Sequence, residues 1–203
     1  MLFSSNLLRN EIKMFVKNKY YYYYKLFSNE FCDNIINIGN SLMPSYGTIG
    51  SKESKMNLKY RKSKVSWITD KNILHPIMFK MQEANVRAGW NFNLDLNLDL
   101  QAQFTKYEKN EFYHWHCDSF MDAQRNRKIS FTLNLSDPND YKGGDFEFDF
   151  RDSEKKLKPH IVKEAKEKGS CIIFPSFFFH RVKPVTKGVR YSLVVWLQGD
   201  NFK

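Results

Sequence analysis

Residues of the types that bind metal ions lie close together near the middle of the chain. The segment FYHWHCD, residues 112–118, contains His114, His116 and Asp118, and His180 follows an apolar run further on. Side chains two positions apart on a β-strand lie on one face, so we expect the first three to point the same way. Two imidazoles and one carboxylate can bind one face of an octahedral metal ion and leave the other face open. The alternative is a hydrogen-bonded His116–Asp118 pair, with His180 as an ordinary core residue.

An arginine and a serine follow the last histidine at a spacing that also predicts binding. Arg190 lies ten residues after His180, and Ser192 lies two residues further on, within VRYSLVVWL. A guanidinium buried by such a strand needs an anion, and no acidic residue is close to it in the sequence. A dicarboxylate cosubstrate fits, because the guanidinium fork can bind one carboxylate while the Ser192 hydroxyl donates a further hydrogen bond. The alternative is a surface arginine on an edge strand. With the histidines and the aspartate, the pattern indicates a non-haem Fe(II) oxygenase site.

The elements that position these residues change from helical to extended along the chain. Ser28 is predicted to cap a helix that continues to about residue 42, and apolar residues at helical spacing predict a second helix over 70–88. Residues 44–64 are polar and basic and are predicted to be a mobile loop. Over residues 90–101 apolar and polar residues alternate, which indicates a β-strand. Further strands are predicted at 20–24, 112–118, 128–136, 145–150, 159–163, 170–175, 178–183 and 189–198.

This order of elements indicates an α+β, mainly β fold: a β-sandwich or jelly roll with the N-terminal helices packed outside the barrel. We expect a basic lead-in over 1–19 and one domain over 20–203, divided into helical support (28–89) and a β core (90–203). No apolar run is long enough for a membrane helix. The three cysteines are far apart without C-x-x-C pairing, so we expect reduced thiols in a soluble, cytoplasmic protein. The formal net charge of +10 fits either an acidic partner or a compositional bias toward lysine.

As a set, the motifs resemble the 2-oxoglutarate- and Fe(II)-dependent dioxygenases, and more narrowly the prolyl 4-hydroxylase branch that includes the PKHD-type hydroxylases. The resembling segments are Gln103–Tyr107, FYHWHCD, RKISFTLNLSDPNDYKGGDFEF from Arg127, and GSCIIFPSFFFHRVKPVTKGVRYSLVVW from Gly169. The resemblance implies a double-stranded β-helix, the cupin-like form of the jelly roll. It also implies hydroxylation of an unactivated C–H bond with 2-oxoglutarate and dioxygen, with succinate and carbon dioxide as coproducts.

The resemblance assigns the metal and most of the cosubstrate site to individual positions. His116, Asp118 and His180 would bind the iron. Arg190 would pair with the distal carboxylate of 2-oxoglutarate, and Ser192 would assist it.

Other positions follow from the same resemblance. Tyr107, nine residues before His116, lies where such enzymes have a tyrosine that hydrogen-bonds the cosubstrate. Asn134 occupies a position where some members have a tyrosine, and the glycines at 143–144 match a structural turn. Independently of the resemblance, we expect four residues on the substrate side of the site: His114 and Tyr113 beside the ligand positions, and Arg61 and Trp67 in and after the basic loop that precedes the barrel. The alternative is a solvated His114 and a solvated loop with one buried tryptophan.

The substrate that the resemblance favours is a protein or peptide hydroxylated at proline, with ascorbate as an optional further cofactor. A free amino acid or another small metabolite is an alternative substrate. A nucleic-acid demethylase of the AlkB-like class would use the same iron chemistry and would suit the +10 charge. That class has a second arginine six residues after the first, where this chain has Trp196. A non-enzymatic basic jelly-roll module with a degenerate triad is the remaining alternative.

Overall fold

The computed structural model describes residues 18–49, 56–96, 100–119, 126–150 and 157–200. Most of the predicted basic lead-in, residues 1–17, lies outside the described residues. Within them the protein is mainly β, with two α-helices, α1 (Asn29–Ser41) and α2 (Lys71–Arg87), and a short 3₁₀ helix (Lys163–Ala165). The described strands are β1 (Tyr21–Tyr23), β2 (Ser45–Tyr46), β3 (Arg61–Lys62), β4 (Lys64–Ile68), β5 (Ala102–Tyr107), β6 (Phe112–His116), β7 (Asn126–Asn134), β8 (Tyr141–Gly143), β9 (Phe146–Asp149), β10 (His160–Ile161), β11 (Cys171–Pro175), β12 (Phe179–Val182), β13 (Val185–Gly188) and β14 (Arg190–Gly199).

Both predicted helices are present, and the first begins at the expected cap. The Ser28 side chain accepts a hydrogen bond from the backbone N–H of Phe31 at 3.2 Å, which satisfies one of the free donors of the first turn of α1. Asp70 caps α2 in the same way, through the backbone N–H of Asn72 at 2.8 Å. Gly89, with φ +73°, follows the last turn of α2 in a backbone conformation that glycine adopts readily. Neither helix is long and apolar enough to cross a lipid bilayer in the part of the chain described.

The strands form two larger antiparallel sheets, one of seven strands and one of five. The seven-stranded sheet has the order β1-β11-β7-β14-β5-β4-β2, and the five-stranded sheet has the order β10-β9-β12-β6-β3. Strands β13 and β8 form a separate two-stranded ribbon. Both helices contact the seven-stranded sheet, α1 at β4 and β5, and α2 at β7 and β14.

The two faces of the seven-stranded sheet bury different kinds of residue. On β14, Leu193, Val195 and Leu197 belong to the core that includes the apolar residues of both helices. The alternate residues Arg190 and Ser192 point to the opposite face, where they line a cavity. Because side chains alternate along a strand, one helix-covered face leaves the other free to build a polar site.

The strand predicted over 90–101 is wrong for the residues described. Residues 90–96 form no strand and make one isolated β-bridge, between Asp95 and Gln198. The Asn85 side chain donates to the carbonyl of Phe92 and accepts from its N–H, at 2.9 and 3.0 Å, so these backbone groups are bound to a side chain instead of to a neighbouring strand. The regular strand begins only at Ala102, as β5.

The predicted loop over 44–64 is also wrong in part. It contains the short strands β2 and β3 and the beginning of β4, which pairs with β5 along its whole length. This segment therefore extends both sheets at one side and brings Arg61 and Trp67 to the cavity. Residues 50–55 of the predicted loop lie outside the described residues.

Candidate metal and cosubstrate site

Three metal-binding side chains lie together at the five-stranded sheet. They come from the neighbouring strands β6 and β12 and from the segment that follows β6. His116, at the end of β6, is paired directly with His180 on β12. Asp118 follows β6, and its backbone N–H donates to the carbonyl of Ser176 at 2.8 Å, which fixes the turn that carries it. One ligand atom from each of the three side chains lies within 4.8 Å of the other two. This set is the single group of at least three such side chains in the described ranges.

The two imidazoles are oriented by the backbone. His116 Nδ1 lies 2.8 Å from the carbonyl of His114, and His180 Nδ1 lies 2.9 Å from the carbonyl of Phe178. A carbonyl can only accept, so each Nδ1 carries a hydrogen, and Nε2 is the ring nitrogen left to bind a metal. Both Nε2 atoms lie 3.6 Å from an oxygen of Asp118. The three lone-pair donors therefore converge on one point, as a facial set of metal ligands requires.

The carboxylate is held in its charged form by neighbouring groups. Ser130 Oγ donates to Asp118 Oδ2 at 2.7 Å and lies 2.8 Å from Ser176 Oγ. Burial opposes ionisation of Asp118, but His180, His116 and Arg127 and the Ser130 hydrogen bond outweigh it and lower the pKa to about 2. Burial, followed by the proximity of His180, lowers the pKa of His116 well below 6.5. Both groups are therefore deprotonated at neutral pH, the form in which they bind metals.

A cavity of about 340 Å³ opens in front of these side chains and is lined by both larger sheets. Arg190, at the start of β14, lies in its wall and is almost completely buried. Its Nη1 atom has no hydrogen-bond partner, and its guanidinium carbon lies 5.7 Å from the ring centre of Tyr107. Ser192 and Tyr107 line the same cavity and are buried as well. An unpartnered buried guanidinium is costly, so this wall is built for an anion.

A glycine turn lets the Arg190 side chain lie in this wall. Gly143 and Gly144, in the predicted turn, have φ values of +75° and +63°. A Cβ atom on Gly144 would lie 2.9 Å from Cδ of Arg190. Glycine is therefore required at position 144 for two reasons: its φ is positive, and a Cβ atom would lie too close to the Arg190 side chain.

A β-bulge changes which residues of β6 face the cavity. His180 pairs with His116 but Val182 pairs with Tyr113, so two residues of β6 oppose one of β12. As a result Tyr113 lines the cavity and its ring stacks on the ring of His116 at 3.5 Å. His114 is exposed beside Tyr60, at 5.3 Å between ring centres, and is not part of the cavity lining. The expectation that His114 shares a face with His116 is wrong, because strand alternation is broken at the bulge; its predicted role toward the substrate stays untested.

The other predicted substrate-side residues lie at the cavity, in different environments. Arg61 is buried, and its guanidinium donates to Ser63 Oγ, the carbonyl of Thr48 and Gln103 Oε1, at 2.9, 3.2 and 2.5 Å. Trp67 is 45% exposed at the cavity rim. Both can reach a ligand in the cavity, Trp67 by direct stacking and Arg61 mainly through its charge.

Asn134 is the predicted cosubstrate residue that the structure does not bring to the cavity lining. Its amide nitrogen donates to the carbonyls of Ser136 and Lys166, both at 2.8 Å. Its amide oxygen has no hydrogen-bond partner. Contact with a cosubstrate would require these two hydrogen bonds to rearrange.

Arg127 and Trp196 are among the cavity residues that were not recognised from the sequence as site residues. Arg127 lies in the cavity wall with its guanidinium carbon 3.8 Å from the ring centre of Trp196. Trp196 shares the inward face of β14 with Arg190, six residues away, so the alternation of that strand could have predicted it. Arg127 could not have been found in this way, because the β7–β14 pairing shifts register beside it, between Leu197 and Gln198.

Comparison with known proteins agrees with this geometry. The family model of the 2OG-Fe(II) oxygenase superfamily matches residues 102–198. A PKHD-type hydroxylase of Rippkaea orientalis is 39% identical over 98 residues, which is 47% of this chain and 41% of that protein. The chain spans only 40–41% of the length of this relative and of two PKHD-type hydroxylases of Synechococcus.

Solved structures resemble the whole chain. A Pseudomonas putida prolyl-4-hydroxylase has a TM-score of 0.67 at 18% identity, covering 98% of this chain and 100% of its own. A Trichoplax adhaerens prolyl hydroxylase, in complex with a hypoxia inducible factor peptide fragment, has a TM-score of 0.69 at 16% identity, covering 96% of this chain and 88% of its own. At these identities the likeness concerns the fold. With the sequence match over residues 102–198 and the His116–Asp118–His180 triad, it makes this part of the chain similar to the 2OG-Fe(II) oxygenase superfamily.

Proposed function

We propose that the chain is an Fe(II)- and 2-oxoglutarate-dependent hydroxylase that acts on a prolyl residue of a peptide or protein. The observation that carries this proposal is the convergence of three ligand atoms in front of a cavity whose wall contains an unpartnered arginine. Two imidazoles and one carboxylate suit Fe(II), and one side of the set faces the cavity, where further ligands can enter. His116, Asp118 and His180 would hold the metal.

The cosubstrate fits the other end of the cavity. Arg190 would bind the distal carboxylate of 2-oxoglutarate through two parallel hydrogen bonds, which would satisfy its free Nη1. Ser192 and Tyr107 add hydroxyl groups to the same wall. Asn134 remains a predicted cosubstrate residue. Ascorbate remains a predicted accessory cofactor, and we assign no cavity residue to it.

The bound Fe(II) and 2-oxoglutarate supply the oxidising chemistry, with succinate and carbon dioxide as coproducts, and the chain supplies binding and orientation. The carbonyls of His114 and Phe178 keep the two histidines in the tautomer that binds metal. Phe146, Phe174 and Val182 line the cavity with apolar surface, which excludes water from the reaction. No side chain is needed as a general base.

The prolyl substrate is supported by the fold and by the second end of the cavity. Both solved neighbours are prolyl hydroxylases, and one of them contains a peptide. In this chain Trp196, Trp67 and Tyr113 give the cavity aromatic surface suited to an apolar ring. We also infer that the two facing sheets form the double-stranded β-helix, because both contribute side chains to one site between them.

The proposal is tested by incubating the protein with Fe(II), 2-oxoglutarate and a set of proline-containing peptides. We expect a peptide to gain the mass of one oxygen atom, with an equal amount of succinate formed. His116→Ala should abolish both products together with Fe(II) binding, whereas the matched variant His114→Ala should retain Fe(II) binding, because its side chain is exposed outside the cavity lining. Equal loss in the two variants would contradict the ligand assignment.

A further inference from the structure

The cavity contains more positive charge than its described residues balance. Three arginines line it, Arg61, Arg127 and Arg190, whereas Asp118 is the single carboxylate among the described lining residues. Across the described ranges, no carboxylate forms an ion pair with any of these three guanidinium groups. Asp118 itself is directed at the two histidines. Arginines that line a cavity without a carboxylate partner favour an anionic ligand, so the cavity is suited to receive anions.

The three arginines differ in how many of their N–H donors have a hydrogen-bond partner. Arg61 has a neutral oxygen partner for each of its three nitrogens. Arg190 lies where 2-oxoglutarate would provide the anion. Arg127 donates no hydrogen bond to a described residue. Its guanidinium stacks on the Trp196 ring, with its central carbon 3.8 Å from the ring centre. Its five N–H donors are therefore available to a ligand.

Arg127 lies beside the metal-binding set and far along the sheet from Arg190. Ser130, which hydrogen-bonds Asp118, is paired in register with Trp196, the residue on which Arg127 stacks. Arg190 is six residues from Trp196 on β14, or about 20 Å along the strand. The distal carboxylate that pairs with Arg190 would therefore leave Arg127 without an anion.

We propose that Arg127 binds a carboxylate of the substrate, close to the carbon that is hydroxylated. This inference rests on the proposed function and narrows its substrate class. A guanidinium fixed by stacking on Trp196 presents its fork in one plane, the geometry that binds a carboxylate with two parallel hydrogen bonds. The carboxylate can be an Asp or Glu side chain next to a proline, or the α-carboxylate of a free amino acid. The net charge of +10 would also speed the encounter with an acidic substrate.

The experiment compares pairs of compounds that differ in one carboxylate. Peptides with Asp or Glu beside proline are matched with their Asn or Gln isosteres, and L-proline is matched with L-prolinamide. Succinate formation is measured with the loaded enzyme, and binding to the metal-free protein is followed by tryptophan fluorescence. We expect the acid of one pair to be preferred by about tenfold to a hundredfold in both readouts. The pair that shows the preference identifies the source of the carboxylate.

Three variants connect the preference to Arg127. Arg127→Gln should abolish it, and Arg127→Lys should keep part of it, because the charge remains but the fork is lost. Arg87→Gln removes the same charge from the exposed end of α2 and should leave the preference unchanged.

Two results would overturn the inference. One is equal turnover and binding of acid and amide by the unaltered protein. The other is a preference that survives Arg127→Gln while the affinity for 2-oxoglutarate falls, which would assign Arg127 to the cosubstrate. Failure of the proposed function is distinguishable, because the protein would then not bind 2-oxoglutarate at its Fe(II) site in the absence of substrate.

Discussion

At the scale of single residues, the site depends on groups that the protein alone leaves unsatisfied. Arg190 is buried with a free Nη1, and each ligand histidine presents a free Nε2. Such groups lower the stability of the empty protein and gain their partners when ligands bind. Binding and stability are therefore expected to respond in opposite directions to some substitutions.

Arg190→Met is the clearest case. Replacing an unpaired buried charge with an apolar side chain should leave the free energy of unfolding of the ligand-free protein unchanged or raise it by about 1–3 kcal/mol. We expect 2-oxoglutarate to raise the Tm of the unaltered protein, and the same variant should lose this rise. Thermal unfolding with and without the cosubstrate measures both effects.

The matched control is Arg181→Met. Arg181 forms an ion pair with Glu147 at 2.7 Å, and that glutamate is 2% exposed. Its removal should lower stability, since a buried carboxylate loses its principal partner, and should leave the response to 2-oxoglutarate intact. Similar destabilisation by both substitutions would argue that Arg190 has a structural role instead.

Ser130→Ala tests the hydrogen bond that orients the carboxylate ligand. Loss of the 2.7 Å bond to Asp118 should weaken Fe(II) binding by about 10–100-fold, because outer hydrogen bonds fix the orientation of metal ligands. Metal titration of the purified variant measures the change. Ser41→Ala, which removes an exposed hydroxyl bonded to the Ile38 carbonyl, is the control and should bind Fe(II) normally. Unchanged affinity in the Ser130 variant would show that Asp118 is held by the backbone alone.

At the scale of elements, turns and irregular strand positions decide which side chains reach the cavity. The bulge in β6 places Tyr113 and His116 on one face although they are three residues apart. The glycine turn at 143–144 gives Arg190 room to pass. These features act at a distance from the chemistry but control its geometry.

Gly144→Ala should damage both the fold and the cosubstrate site. Its φ of +63° and the 2.9 Å approach of a Cβ to Arg190 predict a loss of about 1–3 kcal/mol in the free energy of unfolding and weaker binding of 2-oxoglutarate. Gly89→Ala is the matched control: φ is +73° but no atom lies within 4 Å of the added Cβ. It should cost about 1 kcal/mol and leave cosubstrate affinity unchanged. Equal affinities in the two variants would contradict the role of Gly144.

The positions of the helices and of most strands were predictable from sequence, because they depend on local signals. The cap at Ser28, the helix over 70–88 and most of the later strands lie where residue pattern placed them. The errors arose where a distant contact overrides the pattern. Asn85 captures the backbone of Phe92 and prevents a strand, and the bulge opposite β12 turns His114 away from the cavity. Neither the side-chain capture nor the pairing register is visible in an alternation of residue types.

At the scale of the whole molecule, two of the three cysteines are buried in the described core, and the third lines the cavity. Cys32 and Cys171 are buried, and burial raises the pKa of Cys32 to about 11 and that of Cys171 to about 12. Cys117 lies in the cavity wall and is only partly buried. Among the described residues, none of the three forms a disulfide.

We therefore expect one thiol of the native protein to react rapidly with a disulfide reagent at pH 8. A raised pKa keeps the Cys32 and Cys171 thiols protonated at that pH, and the thiolate is the reactive form. These two should react only as the protein unfolds, and Cys117→Ser should remove the rapid phase. Rapid reaction of three thiols without denaturant would contradict the buried positions.

The central claim is that one cavity holds Fe(II) at His116, Asp118 and His180 and 2-oxoglutarate at Arg190. Its most direct test is an anaerobic titration of the protein with Fe(II) and then with 2-oxoglutarate, followed by visible absorption. We predict a weak metal-to-ligand charge-transfer band that appears only when both are present. It should be absent in Asp118→Ala and should require much more 2-oxoglutarate in Arg190→Met. Binding of Fe(II) with no band at any concentration of 2-oxoglutarate would contradict the claim.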